Sequence, residues 1–149
     1  MKPITLLNSS LLLALLLPCA ARAQSVDIPR LAEVVCRLEP RGEEFPEWAI
    51  SKRGAVGLCQ LLVDTARTVW TRAGMTVAYH PSLLFNPDVS KRLARAYLAV
   101  CVAHGWRGAY ELAFCYHNGH HARRRKSGRG HAYALEVEAE YEKAPLAMR

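Results

Sequence analysis

The chain has 149 residues, 51% of them hydrophobic and 22% charged, with a formal charge of +7. That length fits one domain with a real core, and it carries no apolar stretch long enough for a membrane span. The positive charge does not by itself imply nucleic acid. Outside the cytoplasm its anionic partners are wall polymers and lipid head groups.

Taken from the start, Met1 and Lys2 give a short basic opening, Leu11 to Leu17 an almost unbroken apolar run, and Ala21-Arg22-Ala23 a small-x-small cleavage site. This predicts a secretory signal peptide over residues 1–23 and a catalytic-sized domain over residues 24–149. A buried N-terminal helix is the competing reading, but Pro18 and Gln24-Ser25 break its pattern. Pro18, directly before Cys19, also argues against a lipid anchor. Lys2 and Arg22 leave with the signal and no acid does, so the 126 remaining residues carry +5. The expected location is the periplasm or the medium, with no transmembrane segment in the mature chain.

Cys36, Cys59, Cys101 and Cys115 remain. An even count in an oxidising compartment favours disulfides, with three pairings open, while four buried free thiols are the alternative. No CxxC pair is present, so the spacing does not fit a zinc site.

Leu31, Ala32, Val34, Val35 and Leu38 recur at helical spacing behind Asp27 and Pro29, which predicts a helix from Pro29 to Glu39, stopped by Pro40 and Gly42. Residues 40–54 read as a loop. The apolar spacing predicts a second helix over Val56–Val69, a connection over Gly74–Pro87, a third helix over Ser90–His104, a fourth beginning at Gly108, and a last over Ala132–Lys143. Strand signal is slight. The expected architecture is a mainly α-helical single domain.

One segment is more specific. Residues 31–67 place a glutamate, Glu39, at a helix end; then an aromatic, an alanine and a serine (Phe45, Ala49, Ser51); then Gly54-Ala55-Val56-Gly57-Leu58-Cys59-Gln60. This resembles the catalytic segment of the soluble lytic transglycosylase family, with its "GA-x-GL-x-Q" turn. Downstream, Pro87-Asp88-Val89-Ser90 through Tyr97-Leu98 resembles the family's "DP-x-x-N" helix, Tyr116-His117-Asn118-Gly119 resembles "YNAG", and Tyr133 falls where the family has a second tyrosine. The likeness spans nearly the whole mature chain, in order. It implies a lysozyme-like α-helical fold and cleavage of peptidoglycan glycan strands.

In that family one glutamate acts first as acid on the glycosidic oxygen, then as base on the muramic acid 6-hydroxyl, closing a 1,6-anhydro ring. Neither metal nor cofactor is implied. The corresponding residue is Glu39, whose apolar flank of Val35, Cys36 and Leu38 would desolvate it and keep it protonated. The resemblance further implies substrate-site positions at Ser51, Gly57, Cys59, Gln60, Tyr116, His117, Asn118 and Tyr133. Gly57 would let the backbone approach the sugar, and Tyr116 and Tyr133 would bring hydroxyls to Glu39. For the two tyrosines, core packing is the plainer alternative. The layout also implies a Cys36–Cys59 pairing.

The sequence departs from the pattern at Pro40 (usually serine), at His117 (asparagine), at Val63 (proline) and at Ser90 (asparagine). The loop from Glu39 to Phe45 is three residues longer than usual, which makes Glu43 a rival acid; it lacks the apolar helix that positions Glu39. These departures support a second reading from another class, a wall-binding module that has kept the fold without the chemistry. His120, His121 and the run Arg123 to Lys126 form the strongest charge feature. It reads as a solvated loop, or as a patch for the anionic wall or an envelope-spanning secretion or conjugation complex. His117, His120 and His121 also raise a metal site, with no matching acid or cysteine set.

Overall fold

The computed structural model describes residues 25–123 and 127–143. The expected signal peptide and most of the basic run Arg123 to Lys126 lie outside the described residues. No described helix is long and apolar enough to cross a membrane.

Helix α1 spans Ile28–Leu38. The Asp27 side chain accepts from the Arg30 N–H at 3.0 Å, filling one of the bonds that a helix start leaves open, and Pro29 sits in the first turn where its missing N–H does no harm. Leu31, Ala32, Val34, Val35 and Cys36 are all buried. After a short 3-10 turn, Pro46–Trp48, come strands β1 (Ala55–Val56) and β2 (Leu61–Leu62), paired antiparallel with Val56 opposite Leu61. Helix α2 follows directly over Val63–Val69.

This corrects the helix expected over Val56–Val69: its first half is a hairpin. The reason is backbone geometry. Gly57 and Gln60 sit at φ 75° and 48°, left-handed values that no right-handed helix contains. A second 3-10 turn, Pro81–Phe85, leads into the long helix α3, Pro87–Ala103, where the Asn86 side chain accepts from the Asp88 and Val89 N–H groups. Helices α4 (Gly108–Asn118) and α5 (Arg129–Lys143) complete the order. Helix α5 begins three residues before the expected Ala132, and α3 three before the expected Ser90.

Helix α3 is the central support. It packs on α1, α2 and α4, while α5 lies along α4 and α1. Leu93, Leu98 and Cys101 of α3 are wholly buried among Leu31, Leu84 and Leu112. Two disulfides tie these elements: Cys36–Cys59 joins α1 to the hairpin turn, and Cys101–Cys115 joins α3 to α4. The first closes a loop with a sequence separation of 23. Replacing both its cysteines with serine lowers unfolding free energy by about 3 kcal/mol, read as an earlier urea midpoint. An unmoved midpoint would mean that the crosslink contributes nothing to stability.

Candidate active site

Glu39 caps α1 while keeping helical backbone angles, and its N–H donates to the Val35 carbonyl at 2.9 Å. The helix therefore aims the carboxyl. Burial pushes that carboxyl up to about 7, against the opposing pull of the Tyr133 hydroxyl and the Arg41 charge. Arg41 is itself ion-paired with Glu136, which divides its field. Near neutral pH Glu39 is thus a carboxylic acid about half the time, poised to give a proton and to take one back.

Tyr133 comes from α5. Its hydroxyl is buried and faces Glu39, with no well-aligned hydrogen bond to any group in this arrangement. Burial and then the Glu39 charge hold its ionisation well above the ordinary tyrosine range, so it stays a phenol and a donor. Tyr116 is also buried next to Glu39, but its hydroxyl donates to the Cys59 carbonyl at 2.8 Å. The Tyr116 hydroxyl is thus engaged with the hairpin turn, and the Tyr133 hydroxyl is the one left facing Glu39.

An open groove of about 890 Å³ runs past Glu39. The hairpin side contributes Ser51, Ala55 and Gln60; the opposite side contributes Tyr116, His117 and Asn118. Of the described residues lining it, Glu39 is the only acid. Glu43, the rival, is exposed on the loop outside the groove, and the Asp64 side chain is 94% exposed.

The remaining expected positions divide. Ser51 lines the groove, and its Oγ accepts from the Ala55 N–H at 3.0 Å, shaping the turn before β1. Gln60 lines it too, with its Nε2 donating to the Ala49 and Gly57 carbonyls at 3.1 and 2.9 Å. His117 stacks on the Tyr133 ring, centroids 4.8 Å apart. Burial and the Arg53 charge keep its pKa below the ordinary range, so it is neutral at pH 7. The Asn118 Nδ2 donates to the Phe114 carbonyl at 2.9 Å.

Gly57 and Cys59 are placed off the groove wall. Gly57 is pressed against Leu84, whose carbonyl oxygen would lie 2.0 Å from an added Cβ, so packing within the fold demands glycine there. Cys59 is buried in its disulfide. His120 and His121 gather with His104, with ring centroids 4.1 to 5.4 Å apart, away from His117. Among the described residues no group of histidine, cysteine and acid side chains is arranged to hold a metal.

Several groove residues escaped the sequence analysis. Tyr97 lines the wall from α3, its ring edge-on to Tyr116 at 5.7 Å. Gly130 lets α5 start directly beneath Asn118; a Cβ there would meet the Asn118 amide at 2.2 Å. Lys52, Arg53 and Arg129 face the groove as well. Lys52 and Arg53 lie within residues 31–67, just before the turn that starts at Gly54, and only their surface character hid them.

Tyr133→Phe removes the hydroxyl that favours ionised Glu39. The carboxyl pKa then moves up, so the alkaline limb of the pH–rate profile shifts to higher pH while the rate falls about tenfold. A profile that keeps its limb in place would show that Tyr133 does not act on Glu39.

The family model of the transglycosylase SLT domain matches residues 25–136. No curated protein matches the chain in sequence. Solved structures match it, among them an inactive mutant of the lytic transglycosylase Slt from Pseudomonas aeruginosa, with a TM-score of 0.60 and 21% identity over 76% of this chain. The match spans 21% of that longer chain, so it speaks to the fold of one part of it. With the family model covering most of its length, this chain belongs to the transglycosylase SLT domain family and has its lysozyme-like helical fold.

Proposed function

We propose that the protein is an exported lytic transglycosylase that cleaves the MurNAc–GlcNAc β-1,4 bond of peptidoglycan and leaves a 1,6-anhydromuramic end. The observation that supports this best is a single desolvated carboxyl, Glu39, in a groove lined by no other acid among the described residues. A hydrolase of the usual two-carboxylate kind needs a second acid or base roughly 5 to 9.5 Å across the scissile bond. Here one group serves both steps.

Glu39 gives its proton to the glycosidic oxygen as the C1–O bond breaks. The resulting carboxylate removes the proton from the C6 hydroxyl of the same muramic acid, and that oxygen bonds to C1. No water is consumed, and Glu39 ends protonated again. Neutral His117, on the groove lining, can donate a hydrogen bond to sugar oxygens, and phenolic Tyr133, whose hydroxyl is buried, can donate to Glu39, neither adding charge. The Pseudomonas Slt structure is of a variant inactivated by replacing a glutamate with glutamine, which accords with carboxyl-dependent chemistry.

The expected placement is at the wall. Service to an envelope-spanning secretion or conjugation complex belongs to the same proposal, supported by the basic segment that begins at Arg123. The test is product analysis. Purified sacculi are digested and the soluble muropeptides weighed by mass spectrometry; anhydromuropeptides are expected. Reducing ends in their place would make the protein a hydrolytic muramidase, and sacculus binding with no soluble sugar would make it a wall-binding module.

A further inference from the structure

The groove carries an excess of positive charge that acid–base chemistry at Glu39 does not need. Lys52 and Arg53 reach it from the loop before β1, Arg123 from the stretch after α4, and Arg129 from the first residue of α5. All four side chains belong to exposed residues. Elsewhere the protein pairs many of its cations: Glu33 holds Lys91 and Arg95, Glu136 holds Arg41, and Glu140 holds Arg37 and Lys143. Among the described residues, no ion pair satisfies Lys52, Arg53, Arg123 or Arg129. Glu39, the one acid among the described residues lining the groove, cannot offset four cations even when ionised. Arg53 acts within the groove: its charge helps to hold His117 in the neutral form.

Like charges gathered on a concave surface raise one another's energy unless an anion joins them, and the field between low-dielectric walls is concentrated along the groove. An uncharged sugar polymer would leave that energy unrelieved. Guanidinium and ammonium groups along the groove lining suit carboxylates carried as side branches of a sugar strand lying in it.

Resting on the glycan-cleaving function proposed above, we propose that Lys52, Arg53, Arg123 and Arg129 select glycan strands that carry carboxylates and reject otherwise identical strands without them. The carboxylates come from stem peptides or from lactyl groups freed of their peptide. The groove thereby discriminates among wall material by charge, through residues that take no part in the proton transfers.

The test uses dye-labelled glycan strands of one length in three forms: native with stem peptides, stripped by an amidase so that only lactyl carboxylates remain, and native with every carboxylate converted to an amide. Binding is followed by anisotropy with Glu39→Gln, which cannot consume the probe, and cleavage with the unaltered protein. Amidated strands bind about 30-fold more weakly than native ones at low salt, and the gap closes as salt shortens the screening length. Adding Lys52→Gln and Arg53→Gln weakens native-strand binding about tenfold and leaves amidated strands unaffected. Lys143→Gln removes the same charge outside the groove and changes neither. Stripped strands that match native ones assign the lactyl carboxylate; stripped strands that match amidated ones assign the stem.

Equal binding of native and amidated strands overturns the inference, as does an equal loss on both in the Lys52→Gln/Arg53→Gln variant. Charge-dependent binding without cleavage of any strand overturns the catalytic proposal and leaves the selection in place. Cleavage of all three forms at one rate does the reverse.

Discussion

On the proposed mechanism, Glu39→Gln lowers anhydromuropeptide release from sacculi by at least about a thousandfold, because it would remove the proton donor of the first step and the base of the second. The same change stabilises the folded protein in alkali. Burial raises the folded-state pKa of Glu39 from 4.5 to about 7. Below pH 4.5 the carboxyl is protonated both folded and unfolded, and the charge has no effect. As pH rises from 4.5 to 7 the unfolded chain loses its proton first, so the stability due to the neutral buried carboxyl declines. Above pH 7 the folded protein must hold a desolvated carboxylate, at a cost of roughly 3–4 kcal/mol. Glutamine cannot ionise. Thermal melts of the variant therefore match the parent at pH 4 and run several degrees higher at pH 8. A variant that loses activity with no gain at pH 8 would separate the chemistry from the burial. One that keeps activity would remove Glu39 from the mechanism.

The second large effect is structural. Gly57→Ala destabilises the protein by about 4 kcal/mol or more, measured by urea unfolding. At φ 75° any side chain is disfavoured, which alone accounts for about 1–2 kcal/mol. The rest comes from Leu84. An alanine Cβ would lie 2.0 Å from its carbonyl oxygen and 2.9 Å from its carbonyl carbon, so backbone must move. Leu84 is fully buried in the core and cannot retreat. The turn has to lift away from α3 instead, breaking the bond from the Cys59 N–H to the Ser90 Oγ at 3.2 Å. Gly54→Ala is the control. Its φ is 77°, yet a Cβ there meets nothing within 4 Å, so only the conformational penalty of about 1–2 kcal/mol remains. Equal losses at the two positions would refute the steric argument.

The helices that the sequence discloses are those with a one-sided apolar pattern. Helix α1 shows it plainly, since Leu31, Ala32, Val34 and Val35 all reach the core. The place of Glu39 at the end of that helix was legible for the same reason. The hairpin was not. Val56, Leu58, Leu61 and Leu62 repeat at a spacing that suits a helix equally well, and nothing in the residue name of Gln60 announces a left-handed backbone. The start of α3 was signalled by Asn86 and Pro87, a capping side chain followed by a proline, yet the apolar pattern begins later and masks it. The partner of the Tyr116 hydroxyl was hidden for another reason. Cys59 is 57 residues away, and only the tertiary fold brings its carbonyl there. Lys52 and Arg53 look in sequence like any solvated pair, because the concavity that gives them meaning is built by α4 and α5.

A single residue, Cys59, is tied to three helices. Its sulfur is bonded to α1, its N–H donates to Ser90 on α3, and its carbonyl accepts from Tyr116 on α4. Substitutions at Cys36, Ser90 and Tyr116 lie on different helices, but they disturb a single shared target. Their effects on stability therefore do not add: once one tether is cut and the turn has relaxed, cutting the next takes less away.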